Sequence, residues 1–453
     1  MDYAAAASIG IFLTTLFLML RRPKGINLGV AAGIGALLSL LVGTVTITDA
    51  LNALGNIWDA ALAFLGIVMM SVTLDAMGFF RWAALRVARL AHGNGIRLFF
   101  FVSFFTASVS ILFANDSAVL ILTPLVMEMV KELKTSREGS LAYLFGAGLI
   151  ADTAAMPLIT SNPVNIVSAD YFGYTFIQHM MFMGLVGLVT VVQSVLVVYL
   201  FFRKRIPRTY AAETVEDLIK TSPKPMHLRT SIVTLIAIDV GYVLTSLNRI
   251  PVSFVILSGA VFLLTLYALT YRVNHTTTGV ENGPVHVLRR VNWDILFFMI
   301  AIFLVVQGLR HAGAIDFFAA LFLASLTLPA VLSVLVPSLI VTVGASAMNN
   351  WPMTMLGLLS VEQAISTAGL SAQASTSLIF SNIIGNNLGP HFFPLGSLAI
   401  LMWLGTMKRK GLEISLREYL KVGSVLSLLE VVTASTILWL EQTFLQITLT
   451  IVP

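Results

Sequence analysis

The chain has 453 residues, of which 57% are apolar and only 11% are charged. An ordinary soluble domain carries about 25% charged residues, so this chain has too little charge to cover the surface of a soluble globule of its size. Its apolar runs are long enough to cross a hydrocarbon layer of about 30 Å as helices. The absence of cysteine from the sequence excludes disulfides, thiolate metal sites and cysteine nucleophiles. The composition predicts a polytopic helical membrane protein whose net charge of +5 reflects membrane topology and not nucleic-acid binding.

The charges that flank the apolar runs predict the orientation of the first two helices. Residues 3–20 precede the basic stretch 21–25, whereas a cleaved signal peptide carries its positive charge before the apolar stretch. Because Lys and Arg are enriched in cytoplasmic loops, residues 21–25 are predicted inside and the N-terminus outside. Residues 26–42 then return to an outer loop, 44–56, which contains no Lys or Arg.

A re-entrant hairpin that enters from the cytoplasm is predicted at residues 98–130. This segment is apolar except for Asn115, Asp116 and Ser117 at its centre, and both of its flanks are basic. If both flanks are cytoplasmic, either two spanning helices meet outside or a hairpin enters and returns. The polar triplet is short and closely flanked by apolar residues, which favours its position at the tip of a hairpin over an exterior loop.

The next apolar segment, residues 141–168, is predicted to be a broken helix. Asp152 and Thr153 form one interruption, and Asn162 and Asn165 lie at a second one beside a proline. An asparagine followed by proline is typical of a helix start, so capping alone could account for Asn162. Non-helical backbone at membrane depth is tolerated only where protein or a polar cavity satisfies it, so the breaks also indicate a binding site.

The second half shows the same features with the opposite orientation. Its hairpin, residues 329–359, has almost no positive charge on its flanks and is predicted to enter from outside. Its broken helix, residues 377–407, ends at a basic cytoplasmic cluster, and a last helix at about 420–440 leaves the C-terminus outside. The polar breaks in these two elements are Asn349-Asn350 and Asn386-Asn387.

The predicted fold is an all-α polytopic membrane protein with about ten transmembrane helices and two re-entrant hairpins in an inverted repeat. The chain divides into the N-terminal two-helix scaffold segment 1–56, the first repeat 57–202, a cytoplasmic linker 203–229, the scaffold helices of the second half 230–291, and the second repeat 292–453. The halves align at a nearly constant offset in numbering. Trp58 aligns with Trp293, and the register is one position shorter where Asn115 aligns with Asn349 and Asp152 with Asn386.

Inverted repeats with interrupted helices at matching positions are the architecture of secondary transporters, and the interruptions point to the substrate site. No Walker-type glycine loop occurs in the sequence, so the energy is predicted to come from an ion gradient or from a partner. Asp116 and Asp152 are the two acids at the breaks, and an acid deep in an apolar segment costs about 2.5–3.5 kcal/mol on insertion scales. Their aligned positions, Asn350 and Asn386, are neutral. We therefore predict that Asp116 and Asp152 carry protons. The alternative for each acid is that it caps a half-helix or holds a loop in place.

Several other ionisable residues are given local roles. His391 follows a break, yet it is predicted not to contact substrate. Glu128 is predicted to form an ion pair with Lys131 at the cytoplasmic end of the first hairpin. Asp75 and Arg310 occupy equivalent repeat positions, and the inversion places them at opposite faces, so they are not expected to pair.

The four broken elements together resemble the arsenite/antimonite efflux permease family (ArsB) of the ion transporter superfamily. The residues that carry this resemblance are Phe113 to Pro124, Ile150 to Asp170, Met348 to Pro352, Gly385 to Pro390 and Pro394 to Ser397. The similarity runs from about Arg21 to Lys410. The sequence has Ser117 at the hairpin tip and Pro163 at a cap, where the family pattern leads us to expect Gly and Leu.

The resemblance implies a multi-pass protein of the bacterial or archaeal inner membrane, a transporter and not an enzyme. It would export arsenite or antimonite in exchange for protons by elevator-like movement of a transport domain against a scaffold. The implied partners are the substrate, protons and the lipid bilayer, with no nucleic acid and no cofactor. The resemblance leaves open a soluble ArsA-type ATPase subunit and a homodimer.

Without a thiol, the substrate is expected to be the neutral trivalent hydroxide, bound through hydrogen bonds to its OH groups. The predicted binding residues are Asn115, Asp116, Ser117, Asp152, Thr153, Asn162, Asn165, Asn349, Asn350, Asn386 and Asn387. A sodium/proton antiporter of the same fold is the main alternative. A carboxylate carrier is disfavoured because no Lys or Arg stands at a break, and an intramembrane hydrolase using Asp116 and Asp152 is the most distant alternative.

Overall fold

A computed structural model describes residues 3–221, 225–248, 250–274, 283–291 and 293–449. Parts of the predicted linker (222–224), of the second-half scaffold (249 and 275–282) and of the second repeat (292), and both chain ends, lie outside the described residues. Within those residues the regular structure is helical, and the α-helices are α1 Tyr3–Arg21, α2 Leu28–Val42, α3 Ile47–Ala76, α4 Phe79–Arg89, α5 Gly95–Phe113, α6 Asn115–Glu132, α7 Arg137–Thr153, α8 Pro163–Phe172, α9 Phe176–Phe202, α10 Ala212–Thr221, α11 Leu228–Leu247, α12 Val252–Asn274, α13 Pro284–Arg290, α14 Trp293–Gly308, α15 Ala314–Leu326, α16 Leu332–Met348, α17 Asn350–Ala368, α18 Ala372–Leu388, α19 Leu398–Arg409 and α20 Leu416–Phe444.

The predicted all-α fold is confirmed. In the described part of the chain, eight helices are long and apolar enough to cross a membrane. The hairpins are α5–α6 and α16–α17, and the broken helices are α7–α8 and α18–α19. Between α7 and α8, and between α18 and α19, the chain passes through short 3-10 turns instead of continuous helix.

Each hairpin reverses direction at a single residue in a left-handed conformation. Ala114 has φ +62° and ψ +150°, and Asn349 has φ +79° and ψ +150°. Ala114 is therefore the counterpart of Asn349, and Asn115, which begins α6, is the counterpart of Asn350, which begins α17. The sequence alignment of Asn115 with Asn349 was wrong by one position, because the reversal is set by backbone conformation and not by the polar residues.

The broken helices keep the same register as the hairpin tips. Helix α7 ends at Thr153 and α18 ends at Leu388, while Asn162 and Ser397 cap the starts of α8 and α19. Asp152 is therefore equivalent to Asn387, not to Asn386.

In both halves a serine hydroxyl of the hairpin bonds a carbonyl of the break. Ser110 Oγ donates to Ala151 O at 2.5 Å, and Ser346 Oγ donates to Gly389 O at 2.7 Å. Each hairpin is thus attached to the broken helix of its own half near the point where the helix stops.

The two halves exchange helix caps through a pair of aspartates. Asp59 on α3 accepts a hydrogen bond from Ser253 N in the first turn of α12, at 3.2 Å. Asp294 on α14 accepts one from Gly29 N in the first turn of α2, at 3.0 Å. The first four N–H groups of a helix lack intrahelical partners, so each aspartate satisfies an end that would otherwise be unpaired. Each half therefore stabilises a helix of the other half.

The broken helices of the two halves pack against each other at a glycine. A Cβ atom built on Gly148 of α7 would lie 2.3–2.6 Å from indole atoms of Trp403 on α19. Trp403 is fully buried and also contacts the ring of Phe145, with ring centroids 5.1 Å apart. The absence of a side chain at Gly148 lets the two breaks approach each other closely.

Two predictions about charged residues differ in outcome. Glu128 does not pair with Lys131 as predicted. It forms a two-pronged ion pair with Arg81 of α4, with both N–O distances 2.8 Å, because the amphipathic helix α4 lies alongside the hairpin. Asp75 and Arg310 find separate partners, as the inversion requires: Asp75 pairs with Arg290 at 2.8 Å and Arg310 with Glu362 at 3.4 Å.

Candidate functional site

The tip of the first hairpin meets the first broken helix through two of the predicted residues. Asn115 Nδ2 donates to Asp152 Oδ1 at 2.6 Å, and Ser397 Oγ from the start of α19 donates to the same oxygen at 3.2 Å. Both Asn115 and Asp152 are buried. The Oδ1 atom of Asn115 accepts from the backbone N–H of Asp116, so its amide faces a carboxylate on one side and a helix start on the other. Residues of both halves therefore surround Asp152.

Asn387 joins the two broken helices. Its Oδ1 accepts from Asn162 Nδ2 at 2.9 Å, and its Nδ2 donates to Asn165 Oδ1 at 2.9 Å. Asn162 Oδ1 also accepts from Val164 N, the capping bond expected of an asparagine before proline. Capping thus uses the Oδ1 atom of Asn162, and the contact with Asn387 uses its Nδ2 atom.

The remaining predicted residues at the tips and breaks are also buried. Asn349 donates through Nδ2 to Leu395 O at 3.1 Å, and Asn386 donates to Asn382 Oδ1 at 2.8 Å. Asn350 Oδ1 and Asn386 Oδ1 accept no hydrogen bond from the described residues. Buried polar atoms rarely stay unpaired, so these oxygens are free to accept hydrogen bonds from a water molecule or a substrate.

Asp116 and Ser117 occupy the first turn of α6 and are 7% and 5% exposed. A carboxylate at the start of a helix is favourably placed relative to the helix dipole. No hydrogen bond to the Asp116 carboxylate is formed by the described residues, whereas Asp152 accepts two. The two acids therefore differ in their hydrogen bonding: Asp152 accepts hydrogen bonds from its neighbours, and Asp116 is buried without a donor among the described residues.

A second group of polar residues lies next to Asp152, and most of its members were not predicted from the sequence. His391 Nδ1 lies 2.6 Å from Glu430 Oε2, and His391 Nε2 lies 3.4 Å from Asp152 Oδ2. Glu430 Oε1 contacts Thr153 Oγ1 at 2.6 Å and Ser194 Oγ at 2.5 Å. The distance of 3.4 Å is too long for a good hydrogen bond, and Asp152 Oδ2 and His391 Nε2 make no hydrogen bond to the described residues.

Sequence reasoning assigned Thr153 to the substrate, but its hydroxyl contacts Glu430. His391 was predicted not to contact the substrate, and its ring nitrogens face Glu430 and Asp152. Glu430 was not predicted, although it interrupts the last apolar helix in the same way that Asp116 interrupts the first hairpin. The same criterion applied to α20 would have found Glu430. Ser194 gives no comparable signal, since serine is common in apolar helices, whereas Ser397 ends the segment Pro394 to Ser397 that carries the family resemblance.

None of the buried side chains in the described residues is Lys or Arg, and the chain has no cysteine. The arrangement is thus an amide-lined and carboxylate-lined centre that joins two hairpins and two broken helices, which is the construction of a secondary membrane transporter. The chain belongs to the arsenical pump membrane protein family, ArsB, which matches residues 7–440.

Two relatives agree with this assignment, and one solved structure is similar in fold alone. An arsenical pump membrane protein of Escherichia coli is 37% identical over 420 residues, which cover 92% of this chain and 94% of that protein. A putative arsenical pump membrane protein of Bacillus subtilis (strain 168) is 25% identical over 453 residues, covering 96% and 99%. The crystal structure of the Alcanivorax borkumensis YdaH transporter, described as having an unusual topology, is similar in fold, with a TM-score of 0.58, 14% identity and 88% of each chain covered.

Proposed function

We propose that this protein exports trivalent arsenic or antimony, as the neutral hydroxide, in exchange for protons. The family and the relatives from Escherichia coli and Bacillus subtilis carry arsenical pump names, the latter as putative, and the site suits such a substrate. A neutral trihydroxide has OH groups that donate and oxygens that accept. Amide groups, which both donate and accept hydrogen bonds, are supplied by Asn115, Asn350 and Asn386. Carboxylates that accept hydrogen bonds are supplied by Asp116 and Asp152.

The observation that carries the proposal is the clustering of buried amides and acids with neither a thiol nor a buried Lys or Arg among the described residues. Without a buried Lys or Arg, an oxyanion would meet uncompensated carboxylates, so an uncharged substrate is favoured. Without a thiolate, arsenic would be held by hydrogen bonds alone. Weak contacts suit a carrier, which must release what it binds.

Because the substrate is uncharged, the coupling must reside on the protein. Asp152 accepts from the Asn115 amide, and Asp116 follows Asn115 in the chain, so we assign proton binding to these two acids. The proposed binding set is the one predicted from the sequence, with Thr153 acting through Glu430. Movement would be elevator-like, with the hairpins and broken helices as the transport domain and α1–α3 and α11–α14 as the scaffold.

Reconstitution in sodium-free proteoliposomes tests the proposal. With an imposed pH gradient and no sodium on either side, we expect uptake of labelled arsenite into the acidic lumen. Uptake that requires sodium, or proton movement driven by sodium without any effect of arsenite, would instead support a sodium/proton antiporter of the same fold. The carboxyl and amide oxygens of the site are also ligands that sodium could use, which is why this second function is kept.

The remaining proposals concern surroundings and partners. We propose an inner-membrane location with both chain ends outside, which follows from the basic loops. A homodimer and an ArsA-type ATPase subunit rest on the family resemblance alone. Activity of the purified chain in proteoliposomes without ATP would show that the ATPase subunit is dispensable.

A further inference from the structure

We propose that the coupling proton is stored on a buried relay formed by Asp152, His391 and Glu430, with Asp152 as the end that meets the substrate. The inference rests on the proposed exchange for protons and names the groups that perform it. His391 and Glu430 do not line the amide cluster, so they act through Asp152 and hold the proton away from the substrate.

The surroundings of Glu430 are suited to both a charged and a neutral carboxyl group. Ser194 Oγ lies 2.5 Å from Glu430 Oε1 and 2.7 Å from Thr190 O, and Thr153 Oγ1 lies 2.6 Å from Glu430 Oε1 and 3.1 Å from Leu149 O. Each hydroxyl has one hydrogen to donate. When Glu430 is ionised, both hydroxyls donate to its carboxylate.

When Glu430 takes up a proton from His391, the proton lies on Oε2, which faces His391 Nδ1. The neutral carboxyl group accepts more weakly at Oε1, so a hydroxyl can turn from Oε1 toward the helix carbonyl. Thr190 O and Leu149 O are acceptors within α9 and α7, so the hydroxyl keeps a partner in either state. A buried polar group left unpaired costs about 1–3 kcal/mol. Two alternative acceptors remove this cost, so that Glu430 can gain and lose a proton in a fully buried position.

His391 connects this carboxyl group to the substrate site. Its ring nitrogens face carboxyl oxygens on opposite sides, Glu430 at 2.6 Å and Asp152 at 3.4 Å. An imidazole can accept a proton on one nitrogen and release one from the other, which is the requirement for a shuttle. The longer distance lies between two atoms that make no hydrogen bond to described residues, so a small shift of Asp152 would close or open the path.

Among the described residues, the titratable groups around His391 are carboxyl groups and one tyrosine. Asp152 comes from α7, Asp116 from α6, and Glu430 and Tyr419 from α20, with the Tyr419 hydroxyl 3.4 Å from Pro390 O. Helices α16 and α18, which also pack here, contain no ionisable residue. Two carboxyl groups flank one imidazole, so the number of bound protons sets the net charge of the relay.

The relay makes binding of substrate and proton compete. His391 and Glu430 are fully buried, so a proton reaches them through Asp152, which is also the carboxylate beside Asn115. A substrate hydroxyl that donates to Asp152 stabilises its ionised form, which discourages proton loading, and a proton on Asp152 removes that acceptor. Competition for one carboxylate is the condition for exchange.

Two transport assays on reconstituted variants test the relay. The first measures exchange of labelled for unlabelled arsenite at equal concentrations and equal pH, which moves no net protons. The second measures arsenite accumulation driven by a pH gradient. We expect Glu430→Gln and His391→Gln to continue the exchange and to lose the accumulation.

Matched controls are available among the other buried ionisable residues. Glu441→Gln changes another buried acid of α20, and His179→Gln changes a buried histidine of α9 whose Nε2 contacts Met156 O, outside the relay. Both controls should keep exchange and accumulation. Accumulation at the wild-type level by Glu430→Gln or His391→Gln would overturn the relay and leave the proposed function intact. Failure of the wild type itself to respond to the pH gradient would overturn both.

A milder variant covers the case in which either relay substitution prevents folding. Ser194→Ala removes one hydroxyl from Glu430 and keeps every ionisable group. Because the hydroxyl interacts differently with the ionised and neutral carboxyl group, the midpoint of the pH profile of accumulation should move. An unchanged midpoint would contradict the relay.

Discussion

At the scale of single residues, the site depends on which hydrogen-bond donors each acid receives. Asp152 accepts from Asn115 and Ser397, whereas Asp116 is buried without a donor among the described residues. The same residue type therefore has two different environments at the two breaks of one half. Sequence reasoning identified both acids from their position in apolar segments, but the difference between them arises from Ser397, which is 245 positions away from Asp152.

Substitution of each acid by asparagine should separate their roles. Asp152→Asn keeps the shape but turns an acceptor of two hydrogen bonds into an amide, and losing a hydrogen bond to a charged group costs about 1.5–3 kcal/mol. We expect arsenite affinity to fall roughly tenfold or more in Asp152→Asn, with loss of pH-driven accumulation. Isothermal titration calorimetry and proteoliposome uptake would measure the two effects.

Asp116→Asn should weaken the response of arsenite accumulation to pH. Its loss of arsenite affinity should be smaller than that of Asp152→Asn, because no described residue donates a hydrogen bond to the Asp116 carboxyl group. If both single variants still accumulated arsenite in response to pH, neither acid would carry the proton. Asp239→Asn is a suitable control, since that residue is partly buried in α11 away from the breaks.

The tip residue Ala114 offers a second prediction at this scale. Its φ of +62° with ψ of +150° belongs to a region that is essentially restricted to glycine and costs about 1–3 kcal/mol for other residues. Ala114→Gly should therefore raise the thermal unfolding temperature in detergent, by relief of this strain. Asn349→Gly is the matched variant at the other tip, where loss of the bonds to Trp351 N and Leu395 O should cancel the gain. Equal stabilisation by both variants would show that the Asn349 hydrogen bonds add nothing to stability, and no stabilisation by Ala114→Gly would contradict the strain at this tip.

At the scale of helices, the interruptions could be predicted well and their exact ends could not. Both hairpins and both broken helices lie where polar residues interrupt apolar runs, because a bilayer penalises such residues in a continuous lipid-facing helix. The predicted alignment of the two halves was wrong by one position at the hairpin tips. The reversal falls at Ala114, and nothing in the chemistry of alanine marks a left-handed residue.

The contact between α7 and α19 is a helix packing that leaves no room for an added side chain. Gly148→Ala would place a methyl group 2.3–2.6 Å from the Trp403 indole, and overpacking of this kind costs about 1–3 kcal/mol. We expect a lower unfolding temperature and reduced transport. Gly405→Ala, on α19 itself, has open space around its added Cβ and should leave both unchanged. Equal effects of the two substitutions would indicate a loss of helix flexibility instead of a clash.

At the scale of the whole molecule, the two halves are interlocked by reciprocal contacts. Asp59 caps α12 and Asp294 caps α2, and Asn387 bridges Asn162 and Asn165. Even the nearest of these partners in sequence, Asp59 and Ser253, are 194 positions apart. The centre of the site is therefore assembled by the pairing of the halves and is incomplete in either half alone.

The absence of native cysteine allows a direct test of the orientation of this assembly. Single cysteines at Leu51, which is 63% exposed near the start of α3, and at Lys410, just after α19, should be labelled from opposite sides. A membrane-impermeant maleimide should label Leu51→Cys in intact cells and Lys410→Cys only after permeabilisation. The reverse pattern would invert the proposed topology and, with it, the direction of each hairpin.

The sequence alone determined the membrane environment, the helical fold, the four interruptions and the acids within them. These features depend on the free energy of transferring each segment into a bilayer, which is set by local composition. Only the tertiary structure decided which polar groups meet: Asn387 with Asn162 and Asn165, and Glu430 with His391, Thr153 and Ser194. A buried hydrogen bond needs a partner at about 3 Å, and the partner comes from whichever helix packs there, however distant it is in sequence.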